Sequence, residues 1–152
     1  MTELLFLAHR IPYPPNKGDK IRSFHLLKHL SRRHRIFLGT FVDDPRDWVH
    51  LKTLGQWCQE IHCLPLDPRR ARLRSLKGLL RGQALSLPYY HQPAMAAWVE
   101  ALLARRPIER VVVYSSAMAQ YVRAEQHRSL HRVIDFVDVD SDKWRQYARS
   151  RP

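Results

Sequence analysis

The residues best suited to chemistry lie in a loop near the amino terminus. The loop His9–Asp19 follows an apolar run and leads into a helical pattern, with Lys17, Gly18 and Asp19 at the predicted helix start. Backbone amides at a helix start have no acceptor within the helix and lie at the positive end of its dipole. The sequence therefore predicts that Lys17, Gly18 and Asp19 hold an anion or a hydroxylated substrate.

Four charged or titratable side chains in and beside this loop have alternative roles. Lys17 and Arg22 bind a phosphate or an acidic acceptor in one interpretation and are solvated charges in the other. Asp19 either orients a substrate hydroxyl or caps the helix. His9 titrates near neutral pH and is a modest candidate for proton transfer, since a lone histidine more often only satisfies a hydrogen bond.

Polar residues also follow two later apolar runs. Ser115 and Ser116 follow the run Arg110–Tyr114, and Asp138 follows Arg132–Val137. The serines lack the G-x-S-x-G pattern of a hydrolase nucleophile, which leaves helix capping as the alternative.

Three alternating aspartates near the end of the chain superficially suggest a cation site. A calcium loop counted from Asp138 requires glycine at its sixth position and glutamate at its twelfth. The chain has Lys143 and Arg149 there, so no metal site is predicted.

Strands and helices alternate along the chain. Apolar, β-branched runs predict five strands: Leu4–Ala8, Arg35–Val42, Ile61–Leu66, Arg110–Tyr114 and Arg132–Val137. Helical spacing predicts Lys20–Leu30, Asp47–Glu60 with Trp48 and Trp57 in the core, Arg69–Leu80, Ala94–Arg106, Ala117–Ala124 and Lys143–Arg149. The prediction is an α/β, Rossmann-like three-layer α/β/α domain with a mostly parallel sheet of about five or more strands. The carboxyl ends of its strands bring His9–Asp19, Ser115–Ser116 and Asp138–Asp142 to one edge.

Composition limits the class of protein. The 152 residues are predicted to form one domain, and the net charge of +12 attracts polyanions such as nucleic acid, anionic lipid or phosphorylated substrates. No apolar run is long enough to span a bilayer and the amino terminus lacks signal-peptide features, so a cytoplasmic location is expected, with peripheral association at the inner membrane.

The predicted helix Arg69–Leu80 is basic and amphipathic. Its leucines Leu73, Leu76 and Leu80 recur at helical spacing. Its cations are the membrane-surface candidates Arg69, Arg70, Arg72, Arg74, Lys77 and Arg81. Either the leucines pack on the core of a solvated surface helix, or the helix lies on a membrane surface.

Three segments occur in a characteristic order: LLFLAHRIPYPPNKGDKIRSFHLLKHL, VVVYSSAMAQYV and VIDFVDVDSDKW. Together they resemble the N-terminal half of a retaining glycosyltransferase of the GT-B fold, family 4. They are most similar to the sugar transferases associated with bacterial PEP-CTERM/exosortase exopolysaccharide systems. The resemblance extends over essentially the whole chain.

The resemblance implies a two-domain enzyme of which residues 1–152 form the acceptor-side domain. A C-terminal Rossmann-like domain would hold the nucleotide-sugar donor and a pair of glutamates in an E-x7-E pattern. That domain lies outside the present sequence, so the isolated domain is expected to be inactive. No metal or covalently bound cofactor is implied.

The resemblance also assigns individual residues. Gly18 matches the glycine that lies close to the donor phosphates, and Lys17 stands where many relatives have a second glycine. Tyr114-Ser115-Ser116 stands where many relatives have a histidine that contacts the transferred sugar, so such a role would pass to a serine hydroxyl. Asp138 is the first aspartate of the closing D-x-D-S-D pattern. Catalytic residues are not assigned.

The expected reaction is hexosyl transfer, with retention, from a nucleotide sugar to an exopolysaccharide or lipid-linked acceptor at an anionic inner-membrane surface. Two other functions are consistent with the positive net charge: a nucleic-acid-binding module and a non-catalytic interaction domain. The chain has no RRM, helix-turn-helix or zinc-finger signature, so no nucleic-acid partner is expected.

Overall fold

Five parallel strands form one sheet at the centre of the fold. The computed structural model describes residues 1–137, apart from the side chain of Leu79. The strands are β1 (Thr2–Ala8), β2 (His34–Val42), β3 (Cys58–Pro65), β4 (Arg110–Tyr114) and β5 (His131–Asp135). Their order in the sheet is β3-β2-β1-β4-β5, and every neighbouring pair is parallel.

Helices cover both faces of this sheet. They are α1 (Gly18–Leu30), α2 (Leu51–Leu54), α3 (Pro68–Leu79), α4 (Ser86–Tyr89) and α5 (Pro93–Arg105). Side chains of β1 alternate between the faces, so Leu5 and Leu7 pack in the same cluster as Val99 of α5. Leu4 and Phe6 pack on the other face with Leu27 of α1. The predicted Rossmann-like three-layer α/β/α fold with a parallel sheet is confirmed.

The helix predicted over Asp47–Glu60 is wrong in its second half. A 3-10 helix covers Pro45–His50, α2 ends at Leu54, and β3 begins at Cys58. Cys58 pairs with Ile36 of β2. The sheet register therefore overrides the helical spacing of the apolar residues in this segment.

The two tryptophans of this segment differ in environment. Trp57 packs against the core, with its ring 5.1 Å from that of Phe24. The prediction that Trp48 lies in the core is wrong, since its side chain is exposed. In its place Asp47 faces inward and forms an ion pair with Lys20 of α1.

Smaller differences concern the carboxyl-terminal part. The segment predicted as a helix over Ala117–Ala124 is a 3-10 helix over Ser116–Tyr121, and β5 ends at Asp135. The predicted helix Lys143–Arg149 and the stretch Asp138–Asp142 lie outside the described residues. None of the helices between residues 1 and 137 combines the length and apolar character needed to cross a bilayer.

Candidate functional site

The strand order places a topological switch point at the carboxyl ends of β1 and β4. The chain passes outward from β1 through β2 to β3 and then returns to the other side of β1 as β4. The loop after β1 leads to α1 on one face, and the segment after β4 packs on the other through Met118 and Tyr121. Ligands of parallel α/β sheets bind at such a switch point, where consecutive loops diverge.

Arg10 connects three elements at this edge. Its guanidinium donates to Asp19 of α1 at 3.0 Å and lies 2.9 Å from the carboxylate of Asp43, which directly follows β2. The sequence reasoning missed both Arg10 and Asp43. Ser115 is selected because it is a polar residue directly after a predicted strand. The same rule selects Asp43, which is the first residue after the predicted strand Arg35–Val42.

His9 lies within this cluster, almost buried between two tyrosines. Its ring is 5.6 Å from that of Tyr90 and is stacked at 6.1 Å on that of Tyr114. Its Nε2 atom is 3.6 Å from the carboxylate of Asp19. Burial lowers the pKa of His9 below its ordinary value of 6.5, although the negative charge of Asp19 opposes this shift. His9 is therefore neutral at pH 7, with a ring nitrogen able to accept a proton.

The lowered pKa of His9 predicts a pH-dependent stability. Between pH 6.5 and the folded-state pKa, the unfolded chain binds a proton that the folded chain does not, so stability falls as pH falls. The slope cannot exceed about 1.4 kcal/mol per pH unit for one group. Urea unfolding at several pH values measures this slope. As the pH falls, the free energy of unfolding should decrease less steeply for His9→Gln than for the wild type.

Other histidines contribute to the pH dependence of stability in both the wild type and His9→Gln, so they do not affect the comparison between the two. Burial also lowers the pKa of His34 and His62, and both residues remain in the variant. Equal pH slopes for His9→Gln and the wild type would show that His9 titrates alike in the folded and unfolded states.

The residues predicted at the helix start lie at the start of α1, beside the carboxyl edge of the sheet. α1 begins at Gly18, with Lys17 in the N-cap position, so the capping alternative for Asp19 is wrong. The first helical hydrogen bond runs from the Ile21 amide to the Lys17 carbonyl, 2.8 Å apart. The amides of Gly18, Asp19 and Lys20 therefore precede the helical hydrogen bonds.

Gly18 leaves open space at this point. A Cβ atom built on Gly18 has no atom within 4 Å, and Lys17 beside it is exposed. Neither close packing nor a positive φ explains a glycine at this position. The open space around it leaves room for a ligand to approach the backbone.

Arg22 and the two serines lie at the same edge. Arg22 forms an ion pair with Asp135, 2.7 Å apart, which joins α1 to the end of β5. Ser115 has φ of 85°, a conformation that costs a non-glycine residue free energy and often marks a functional site. Its amide donates to the Asp135 carbonyl at 2.8 Å, and its side chain does not cap the 3-10 helix that follows. Ser116 is exposed.

Asp138 lies outside the described residues. Within residues 1–137, no group of three or more histidine, cysteine, aspartate or glutamate side chains has the geometry to hold a metal ion.

The basic helix α3 turns its leucines away from the core. Leu73, Leu76 and Leu80 are exposed, so the interpretation that they pack on the core is wrong. Residues Ala71, Ser75 and Gly78 are buried instead. Arg69, Arg70, Arg72, Lys77 and Arg81 are exposed. Arg74 is half-buried and donates to the carbonyls of Pro88 and Tyr89, at 3.4 and 3.3 Å.

The chain matches no protein-family model, no curated protein and no solved structure.

Proposed function

We propose that this chain is the acceptor-side domain of a retaining glycosyltransferase, which transfers a hexosyl unit from a nucleotide sugar to an exopolysaccharide or lipid-linked acceptor. One observation carries the proposal. The loop of the first resembling segment, which ends at Gly18, lies at the switch point of the sheet. Ser115, from the second resembling segment, lies at the same edge directly after β4.

The polar groups at this edge suit a substrate that carries both hydroxyls and phosphates. The carboxylates of Asp19 and Asp43 are partly exposed and can accept hydrogen bonds from hydroxyl groups. The exposed Lys17 and the amide of Gly18 would stabilise the charge of a departing diphosphate. The remaining donor contacts would come from a second domain.

His9 would act on the acceptor side. Its neutral ring can hydrogen-bond an acceptor hydroxyl, and Asp19 lies close enough to stabilise the ring if it gains a proton. Arg10, in the loop after β1, holds Asp19 and Asp43 in place through its two ion pairs.

Gly18→Ala tests this function in the complete protein encoded by the gene. The protein is incubated with a panel of UDP- and GDP-sugars and bacterial lipid extract, and release of the nucleoside diphosphate is measured. A methyl group at residue 18 would displace the phosphate, and we expect a loss of turnover of about a hundredfold.

The same variant separates binding from folding. Because a Cβ atom at residue 18 meets no atom within 4 Å, Gly18→Ala should keep or slightly raise the thermal midpoint. Asn16→Ala, at the exposed neighbouring position, should keep both turnover and stability. If the wild type turned over none of the donors in the panel, the proposed function would be contradicted. Full turnover by Gly18→Ala would contradict the proposed role of the loop.

A further inference from the structure

The outer side of α3 is apolar although it is exposed. Leu73, Leu76 and Leu80, the leucine face, have exposed fractions of 63%, 60% and 89%. The opposite side of the helix carries the small residues Ala71 and Ser75, which are buried. The helix thus packs on the domain through small residues and presents its large apolar side chains outward.

Cations flank the leucine face on both sides. In a helix with 3.6 residues per turn, Arg72 lies on one side of this face and Arg70 and Lys77 lie on the other, while Arg69 lies on the face itself. No aspartate or glutamate occurs anywhere in residues 68–99. An apolar stripe flanked by cations without acids is the pattern of a helix that lies in a membrane interface.

An apolar groove adjoins this face. It has a volume of about 550 Å³ and lies between α3 and α4. Its lining includes Leu76 of the leucine face, Leu85, Tyr89 and Tyr90, with Arg72 beside them. The apolar surface therefore continues from α3 towards Tyr90, whose ring contacts His9.

We propose that the leucine face of α3 docks on an anionic lipid bilayer. The three leucines enter the boundary between headgroups and acyl chains, and the flanking arginines and Lys77 lie near the lipid phosphates. A nucleic acid would engage these cations but would gain nothing from three exposed leucines. The charge and the apolar stripe together therefore favour lipid as the occupant, independently of the proposed enzymatic function.

Co-sedimentation of the chain with vesicles tests the apolar contribution. The vesicles contain phosphatidylcholine, with or without phosphatidylglycerol. We expect binding to the anionic vesicles only, and a loss of at least tenfold for the triple variant Leu73→Ser/Leu76→Ser/Leu80→Ser. Because these side chains are exposed, its thermal midpoint should not fall. The control Val49→Ser/Val133→Ser changes exposed apolar residues elsewhere and should bind as the wild type does.

A second triple variant tests the cations. Arg69→Gln/Arg72→Gln/Lys77→Gln should weaken binding to anionic vesicles by about a hundredfold, since each cation near the surface contributes about fivefold. The control Arg32→Gln/Arg33→Gln/Lys52→Gln removes the same charge from exposed positions outside α3 and should have a much smaller effect.

Three results would overturn the proposal. Equal binding of the leucine triple variant and the wild type would show that the apolar face is not inserted. Tighter binding to duplex DNA or RNA than to anionic vesicles at physiological salt would indicate a nucleic-acid surface. A dimer in size-exclusion chromatography that the leucine substitutions convert to a monomer would show that a second copy of the chain covers this face.

Discussion

Lys20→Met is expected to lower the free energy of unfolding by about 3 to 5 kcal/mol. Lys20 has an exposed fraction of only 2%, and its ammonium group pairs with the carboxylate of Asp47. Methionine fills a similar volume but leaves that carboxylate nearly buried without its cation. Urea unfolding at pH 7 measures the difference.

A second variant separates the lost charge pair from lost packing. Lys20→Met/Asp47→Leu replaces both charges by apolar groups and should recover most of the stability. Arg128 pairs with Glu125 at 2.8 Å, but both are over 80% exposed, so Arg128→Met should change little. If Lys20→Met is as stable as Arg128→Met, the buried pair does not hold the first turn of α1 against the 3-10 helix Pro45–His50.

Gly39→Ala is expected to lower the free energy of unfolding by about 2 kcal/mol. A Cβ atom on Gly39 would lie 2.8 Å from Leu7 Cδ2 and 2.9 Å from Trp98 Cζ3. Trp98 has little freedom to move, because its indole donates to Glu60 at 2.9 Å and its ring stacks on His62 at 4.9 Å. The added methyl group therefore separates β2 from α5. Thermal unfolding measures the loss.

Gly18→Ala is the matched control for this substitution. It adds the same methyl group where no atom lies within 4 Å. The two variants should therefore differ in midpoint, with Gly39→Ala the less stable. Equal midpoints would mean that the contact between β2 and α5 adjusts without cost.

The sequence predicts the sheet well because its strands are continuous apolar runs. β4 has the predicted bounds Arg110–Tyr114, and β1 and β2 differ from prediction only at their first residues. The segment after β2 is harder to predict, since its apolar residues fit a helix until Cys58. Only the pairing with β2 shows that the chain is already extended there.

For the candidate site, the edge of the sheet is predictable but its ion pairs are not. The carboxyl ends of the strands correctly bring His9 and Ser115 to one edge. The partners Arg10 and Asp43 are missed because a loop sequence does not reveal which charges meet across it. Asp135 is missed because the predicted strand continued to Val137, which placed Asp135 inside the strand.

The orientation of α3 also depends on information beyond periodicity. The spacing of Leu73, Leu76 and Leu80 defines a stripe, but it does not determine which side of the helix faces the protein. Gly78 decides this, because Pro88 of α4 lies so close that a Cβ atom on residue 78 would be 2.3 Å from Pro88 Cγ. A larger residue on that side would separate the two helices.

Tyr90 belongs to two environments at once. Its ring lines the apolar groove beside α3 and also contacts His9, and burial raises its pKa to about 12. A molecule that enters the groove and displaces this ring changes the surroundings of His9. By thermodynamic linkage, a ligand that fixes His9 then changes the affinity of the groove by the same factor. A groove ligand that displaced this one ring would therefore couple the groove to the candidate site.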